Sequence, residues 1–276
     1  MTDGHLLTER TPRVAAARKL LRRAARLETG RFLVEGVRPV RDALAWAEDP
    51  ARESPRVHDL FLTSAVAERH PELERRADAA GVRVARVTEK AAAGLSDTVT
   101  PQGIAAVCTT VAVDLDTALA GEPRLVTVLV GVADPGNAGT VVRTSDAAGA
   151  DAVVLAGDAV DPHNGKCVRA SMGSLFHVPV AAHRDVDAVL DALRARGLAL
   201  LAADGHGETV LDAGADDLLA RPTAWLFGCE AHGLDEHTAG RADHRVRVPI
   251  HGRAESLNLA TAAAVCLYAS ARAQHA

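Results

Sequence analysis

Aromatic residues are scarce in this chain of 276 residues: phenylalanine, tryptophan and tyrosine together make up 3%. Hydrophobic residues nevertheless reach 48%, so any core must be packed from Ala, Val and Leu. No run of about 18 apolar residues occurs, which argues against a membrane-spanning helix. Met1 to Arg13 is polar and charged, unlike a signal peptide. A soluble, cytoplasmic protein without membrane association is expected. The four cysteines, Cys108, Cys167, Cys229 and Cys266, stand apart with no CxxC pair, so neither a zinc site nor a redox couple is indicated. Buried free thiols are the expectation. The twelve histidines show no HExxH, and His232 and His237 have no neighbouring cysteines or paired carboxylates; no metal is expected. GxGxxG is missing as well. The turn where it would stand reads Asp134-Pro135-Gly136-Asn137-Ala138-Gly139, and Gly205-His206-Gly207 is too short a cluster to replace it. An ordinary dinucleotide site is not expected, and any ligand must sit elsewhere.

The net charge of −5 argues against a protein coated in nucleic acid, but the charge is unevenly spread. Residues 1–31 carry eight Lys/Arg against three Asp/Glu, a local +5, leaving −10 for the remainder. A polyanion could dock on that one region. Residues 10–27 read as a basic helix with a sparse apolar side, either a solvated surface or a seat for RNA phosphates through Arg18, Arg22 and Arg26.

The length allows two domains. Strand-like Phe32–Gly36, Val57–Thr63, Val82–Val87 and Gly103–Val113 alternate with helical 37–47, 64–80 and 89–95, and Asp49–Pro55 reads as a loop. This is a small α/β domain, taken as 1–113. The polar stretch Asp114–Arg124 is the expected boundary. After it Leu125–Val130 is continuously apolar, as in a central parallel strand covered on both faces, and 151–156, 198–202 and 224–227 are similar. Helices are expected at 138–149, 164–171, 185–196 and 256–272. Residues 124–276 thus read as a three-layer α/β domain.

The richest segment lies near the end. Val246 and Val248 alternate with charged neighbours as in a strand, and Pro249 and Gly252 then force a loop. Ser256 can cap a final helix, with Leu257, Ala260, Ala264 and Leu267 at helical spacing. A strand, a loop with free backbone groups and a helix start can hold a small polar ligand. They can equally be a plain connection.

Two further segments decide between these readings. One is Asn137-Ala138-Gly139-Thr140-Val141-Val142-Arg143, with Asn and Arg separated by five residues; the other is Gly228-Cys229-Glu230-Ala231-His232-Gly233-Leu234. Together with Val248-Pro249-Ile250 and Glu255-Ser256-Leu257-Asn258-Leu259, in this order, they resemble the TrmH/SpoU branch of the SPOUT methyltransferases over about residues 124–272. The first half, with Phe32-Leu33-Val34-Glu35-Gly36 and Pro101-Gln102-Gly103-Ile104, is similar to the L30e-like substrate-binding domain that often precedes it.

The resemblance implies an α/β trefoil-knot domain and a 2′-O-ribose methyltransferase of structured RNA that uses S-adenosyl-L-methionine, with 23S rRNA as the leading target. A tRNA 2′-O-methyltransferase and a non-catalytic RNA-binding or ribosome-assembly protein are the alternatives. By the same resemblance the cofactor lies among Gly228, Val248, Ile250, Leu257 and Leu259, while Arg143, Asn137, Glu230, Ser256 and Asn258 form the catalytic set. Glu230 could orient Arg143 or its symmetry mate. The family assigns the arginine as base, but a guanidinium has no acceptor, and holding a phosphate is its easier task. Arg169 is a further candidate for RNA contact. Family members are homodimers, for which Val265, Leu267 and Tyr268 could supply a face.

Overall fold

Strand and helix alternate along the chain as its pattern requires, and they gather into two units, each with its own sheet. The computed structural model describes residues 6–49 and 56–276. Residues 50–55 of the loop expected at Asp49–Pro55 lie outside the described residues.

The first unit runs to Thr110 and includes His163–Phe176. Its strands are β1 (Arg31–Glu35), β2 (Val57–Leu62), β3 (Arg83–Arg86) and β4 (Ile104–Thr109), in the order β1-β4-β2-β3. β4 is antiparallel to both neighbours, and β2 and β3 are parallel. Leu33, Phe61, Ala85 and Val107 meet Val14, Ala17 and Leu20 in one buried cluster.

The basic helix is two helices, Pro12–Lys19 and Arg23–Thr29. The chain turns extended at Arg22 so that buried Leu20 stays in the core, and Arg26 closes the break from inside. Its guanidinium donates to the Leu20 carbonyl at 3.0 Å and the Leu21 carbonyl at 3.1 Å, and the residue is 4% exposed. This is a correction: a buried cation that caps a helix end is not free for a phosphate. The expected 64–80 helix is also split, into Ser64–Arg69 and Pro71–Ala79, because Pro71 lacks an N–H and disfavours helical geometry at His70.

The segment 163–176, drawn from the sequence with residues 124–276, packs within the first unit. Phe32 lies 4.6 Å from the His163 ring and 6.3 Å from Phe176, which also meets Trp46 at 5.5 Å. Three of the seven Phe, Trp and Tyr residues of the chain thus stand in one cluster. Arg169, the further candidate for RNA contact, pairs with Glu35 at 3.2 Å and with Asp97.

The second unit carries seven strands, all parallel: β5 (Leu125–Val130), β6 (Ala152–Ala156), β7 (Val180–His183), β8 (Ala199–Ala203), β9 (Thr209–Val210), β10 (Thr223–Phe227) and β11 (His244–Arg247). Their order is β7-β6-β5-β10-β8-β11-β9. All six residues of β5 are buried, as its unbroken apolar run requires. On one face Val189, Leu190 and Leu193 of the 186–195 helix pack on Val126, Val128 and Leu200. On the other, helix Leu259–Gln274 packs against helix Pro135–Ala147 and against β10. Two polar pairs are fixed inside: Thr127 with Ser145 at 2.8 Å, and the Trp225 indole N–H donating to Ser270 Oγ at 2.9 Å. Strands β7 and β9, only four and two residues long, are absent from the pattern of apolar runs. No helix among the described residues is long and apolar enough to cross a membrane.

Candidate functional site

In an open parallel sheet the strand ends leave a crevice at the carboxyl edge, where connections diverge. Here the carboxyl ends of β8, β10 and β11 and the loop before the last helix enclose a cavity of about 530 Å³. Gly228, Val248, Ile250, Leu257 and Leu259 all line it, as do Glu230, Ser256 and Asn258. Ile250 and Leu257 are 38% and 36% exposed, so their apolar surface lies open.

Gly228 is required by packing rather than by backbone angle. A Cβ there would fall 2.0 Å from the Gly233 carbonyl carbon and 2.2 Å from the Leu234 nitrogen. The loop folds back that tightly because Cys229 and Gly233 exchange both backbone hydrogen bonds, at 3.1 and 2.9 Å, with Gly233 at φ +69°. The third wall is Ala203-Asp204-Gly205, so Gly205 of the short glycine cluster set aside in the sequence does line the cavity, and Asp204 beside it was not singled out. Asp204 accepts from the His206 N–H at 2.8 Å and from Arg245 Nε and Nη2 at 2.9 and 2.6 Å. Burial pushes its carboxyl up, and these donors more than reverse that, holding it below its ordinary value. Gly207 then passes so close to β11 that a Cβ would lie 2.5 Å from the Arg245 carbonyl oxygen. The signal available in the sequence was an Asp-Gly turn directly after an apolar strand.

One chain of side-chain bonds joins the three sequence motifs. Asn258 caps the last helix, its Oδ1 accepting from the Ala260 and Thr261 N–H groups at 2.9 and 3.4 Å. That fixes its amide so that Nδ2 donates to Asn137 Oδ1 at 3.1 Å. Asn137 in turn donates from Nδ2 to Glu230 Oε1 at 2.9 Å. For Glu230 burial again acts upward, and the Asn137 amide with the Glu230, Ala133 and Asp134 backbone N–H groups brings the carboxyl below its ordinary value. The expected cap, Ser256, is corrected to Asn258, because the helix starts at Leu259 and leaves the Ser256 hydroxyl on the cavity wall. Within the chain Glu230 meets Asn137 and not Arg143.

Arg143 is exposed and does not line its own chain's cavity. It makes no hydrogen bond or ion pair among the described residues. Six helical residues beyond Asn137 place it about 9 Å along the axis and about 240° around it. Thr140, Arg143 and Ala147 share the exposed stripe of that helix. Beside them stand exposed Val265 and Tyr268, whose hydroxyl donates to the Ala147 carbonyl at 3.4 Å; Leu267 is wholly buried.

No lysine, arginine or histidine lines the cavity among the described residues, while Asp204, Glu230 and Glu255 do. Such a site repels phosphate and suits a ligand with positive charge and a flat apolar part. Among the described residues no group of three or more His, Cys, Asp or Glu could hold a metal.

The profile of the SpoU rRNA methylase family matches residues 124–268, all three motifs included. The chain belongs to the SpoU rRNA methylase family. Residues 11–106 match an MRM3-like substrate-binding domain. Among relatives of this RNA methyltransferase, the 23S rRNA (guanosine(2553)-2′-O)-methyltransferase RlmP of Bacillus subtilis is 36% identical, covering 91% of this chain and 92% of its own. The AdoMet-bound rRNA methyltransferase from Sinorhizobium meliloti superposes with a TM-score of 0.80 at 29% identity, over 97% of each chain. The SpoU methyltransferase AviRb from Streptomyces viridochromogenes, in complex with AdoMet, does so with 0.81 at 30% identity, over 95% of this chain and 98% of its own.

Proposed function

We propose that this protein methylates a ribose 2′-hydroxyl of 23S rRNA in the cytoplasm, with S-adenosylmethionine as donor. The observation that carries the proposal is the hydrogen-bonded line Glu230–Asn137–Asn258, which draws three distant motifs to the rim of one cavity. The cavity fits the donor. Its volume is in the range of small-molecule sites, its open apolar surface at Ile250 and Leu257 suits an adenine ring, and its charge suits a sulfonium. Gly228, Val248, Ile250, Leu257 and Leu259 would hold the donor. When bound, it supplies an electrophilic methyl group. The trefoil path implied by the resemblance belongs to the proposal.

The chain's own groups then have distinct tasks. Asn258, oriented by Asn137, and the free Ser256 hydroxyl present an amide and an O–H to the ribose. Arg143 holds an RNA phosphate and stabilises negative charge growing on the ribose oxygen. Because Arg143 stands outside its own cavity, we assign it to the cavity of a second copy, packed against the stripe of Thr140 and Ala147 with Val265 and Tyr268. Leu267, being core, takes no part.

Arg18 and Arg22 are exposed on the first unit and are proposed to bind RNA phosphates. Reversing both to glutamate is expected to weaken RNA binding and to lower the slope of log Kd against log salt by about two; an unchanged slope returns them to solvated surface. Arg26→Ala should instead leave RNA affinity alone and cost about 1.5–3 kcal/mol in denaturant unfolding, since two carbonyls lose a charged donor.

Mapping 2′-O-methyl groups by mass spectrometry in RNA from cells with and without the gene tests the function. One missing methyl in 23S rRNA is expected. A missing methyl in tRNA moves the enzyme to that substrate, and an unchanged map with no donor binding leaves an RNA-binding protein.

A further inference from the structure

We infer that Glu255 makes the cavity select the charged methyl donor over its uncharged product. The inference rests on reading the cavity as the S-adenosylmethionine site. Three carboxylates line it, and two are committed: Asp204 to Arg245 and the His206 N–H, Glu230 to Asn137. Glu255 lines the same wall and makes no hydrogen bond or ion pair among the described residues. With no cation on the wall, Glu230, whose partners are neutral, and Glu255 both leave their charge uncompensated, and of the two only Glu255 has no hydrogen-bond partner and is free to meet a ligand.

The chemistry gives that charge a use. The donor carries a sulfonium and an ammonium against one carboxylate, a net +1. On transfer the methyl–sulfur bond breaks with its electron pair left on sulfur, a carbon–oxygen bond forms, and the hydroxyl loses its proton. The thioether product is therefore neutral overall. Glu255 is exposed, so solvent screens its field in part, but from the cavity wall it attracts the net-positive donor more than the net-neutral product. Attraction thus ends with the reaction, and the spent product is released. A carboxylate that merely shaped the loop would treat all ligands alike.

Calorimetry with S-adenosylmethionine, S-adenosylhomocysteine and sinefungin, whose ammonium stands where the sulfonium does, separates these outcomes on the full chain. Glu255→Gln is expected to weaken the two cationic ligands about tenfold and the neutral one by less than about twofold, with Glu255→Asp keeping most of the preference. Equal weakening of all three, or of none, overturns the inference while leaving the cofactor reading intact. Failure of the unaltered protein to bind any of them removes the cofactor reading, and the inference with it.

Discussion

Arg143→Ala is expected to lower kcat by about 10²–10³-fold or more, the scale for deleting a group that meets charge only in the transition state. Donor affinity, read by calorimetry, should change little, because the groups the side chain is assigned to meet, an RNA phosphate and the ribose oxygen, belong to the RNA and not to the donor. Arg143→Lys should recover a part, as an ammonium keeps the charge but not the planar fork. The exposed position allows a sharper test. If the guanidinium serves the other subunit, mixing Arg143→Ala with a variant defective only in donor binding should restore activity, as one of the two sites in a mixed dimer is then complete. Full turnover by Arg143→Ala would remove the residue from the chemistry, and no restoration on mixing would place it in its own subunit.

Gly228→Ala should destroy the donor site from the backbone outward. The added carbon falls on the Gly233 carbonyl carbon and Leu234 nitrogen, and no flexible side-chain end can move aside. Relief requires opening the turn that Cys229 and Gly233 close, which displaces Glu230 from Asn137. A cost of about 3 kcal/mol or more is expected from such overpacking, together with loss of measurable donor binding. Denaturant unfolding and calorimetry check both parts. Near-normal stability and affinity would mean the loop accommodates a side chain, and the packing argument for glycine would fail.

Much of the framework was legible in the residues. The unbroken apolar run of β5, the glycine closing β1 and the strand–helix rhythm of both halves arise from local pattern and lie within a few residues of where that pattern puts them. Elements that depend on distant partners were not legible. Thr209–Val210 is a strand only because β11 lies beside it, and 163–176 joins the first unit only because Phe32 and Trp46 receive its ends. The basic helix seemed uniform because a sequence shows that an arginine carries charge but not that its guanidinium turns inward onto two carbonyls, as at Arg26.

The order of residues alone determined what kinds of groups were present and in which local settings: an asparagine opening one helix, a glycine-bounded turn, a loop forced by Pro249 and Gly252. Folding in space decided which of them meet. Asn137 and Asn258 stand 121 positions apart and share a hydrogen bond because two helices pack side by side on one sheet face. Asp204 became a cavity wall, and Arg143 was left outside, for the same reason: short-range forces fix conformation along the backbone, while proximity across it is set by how faces bury.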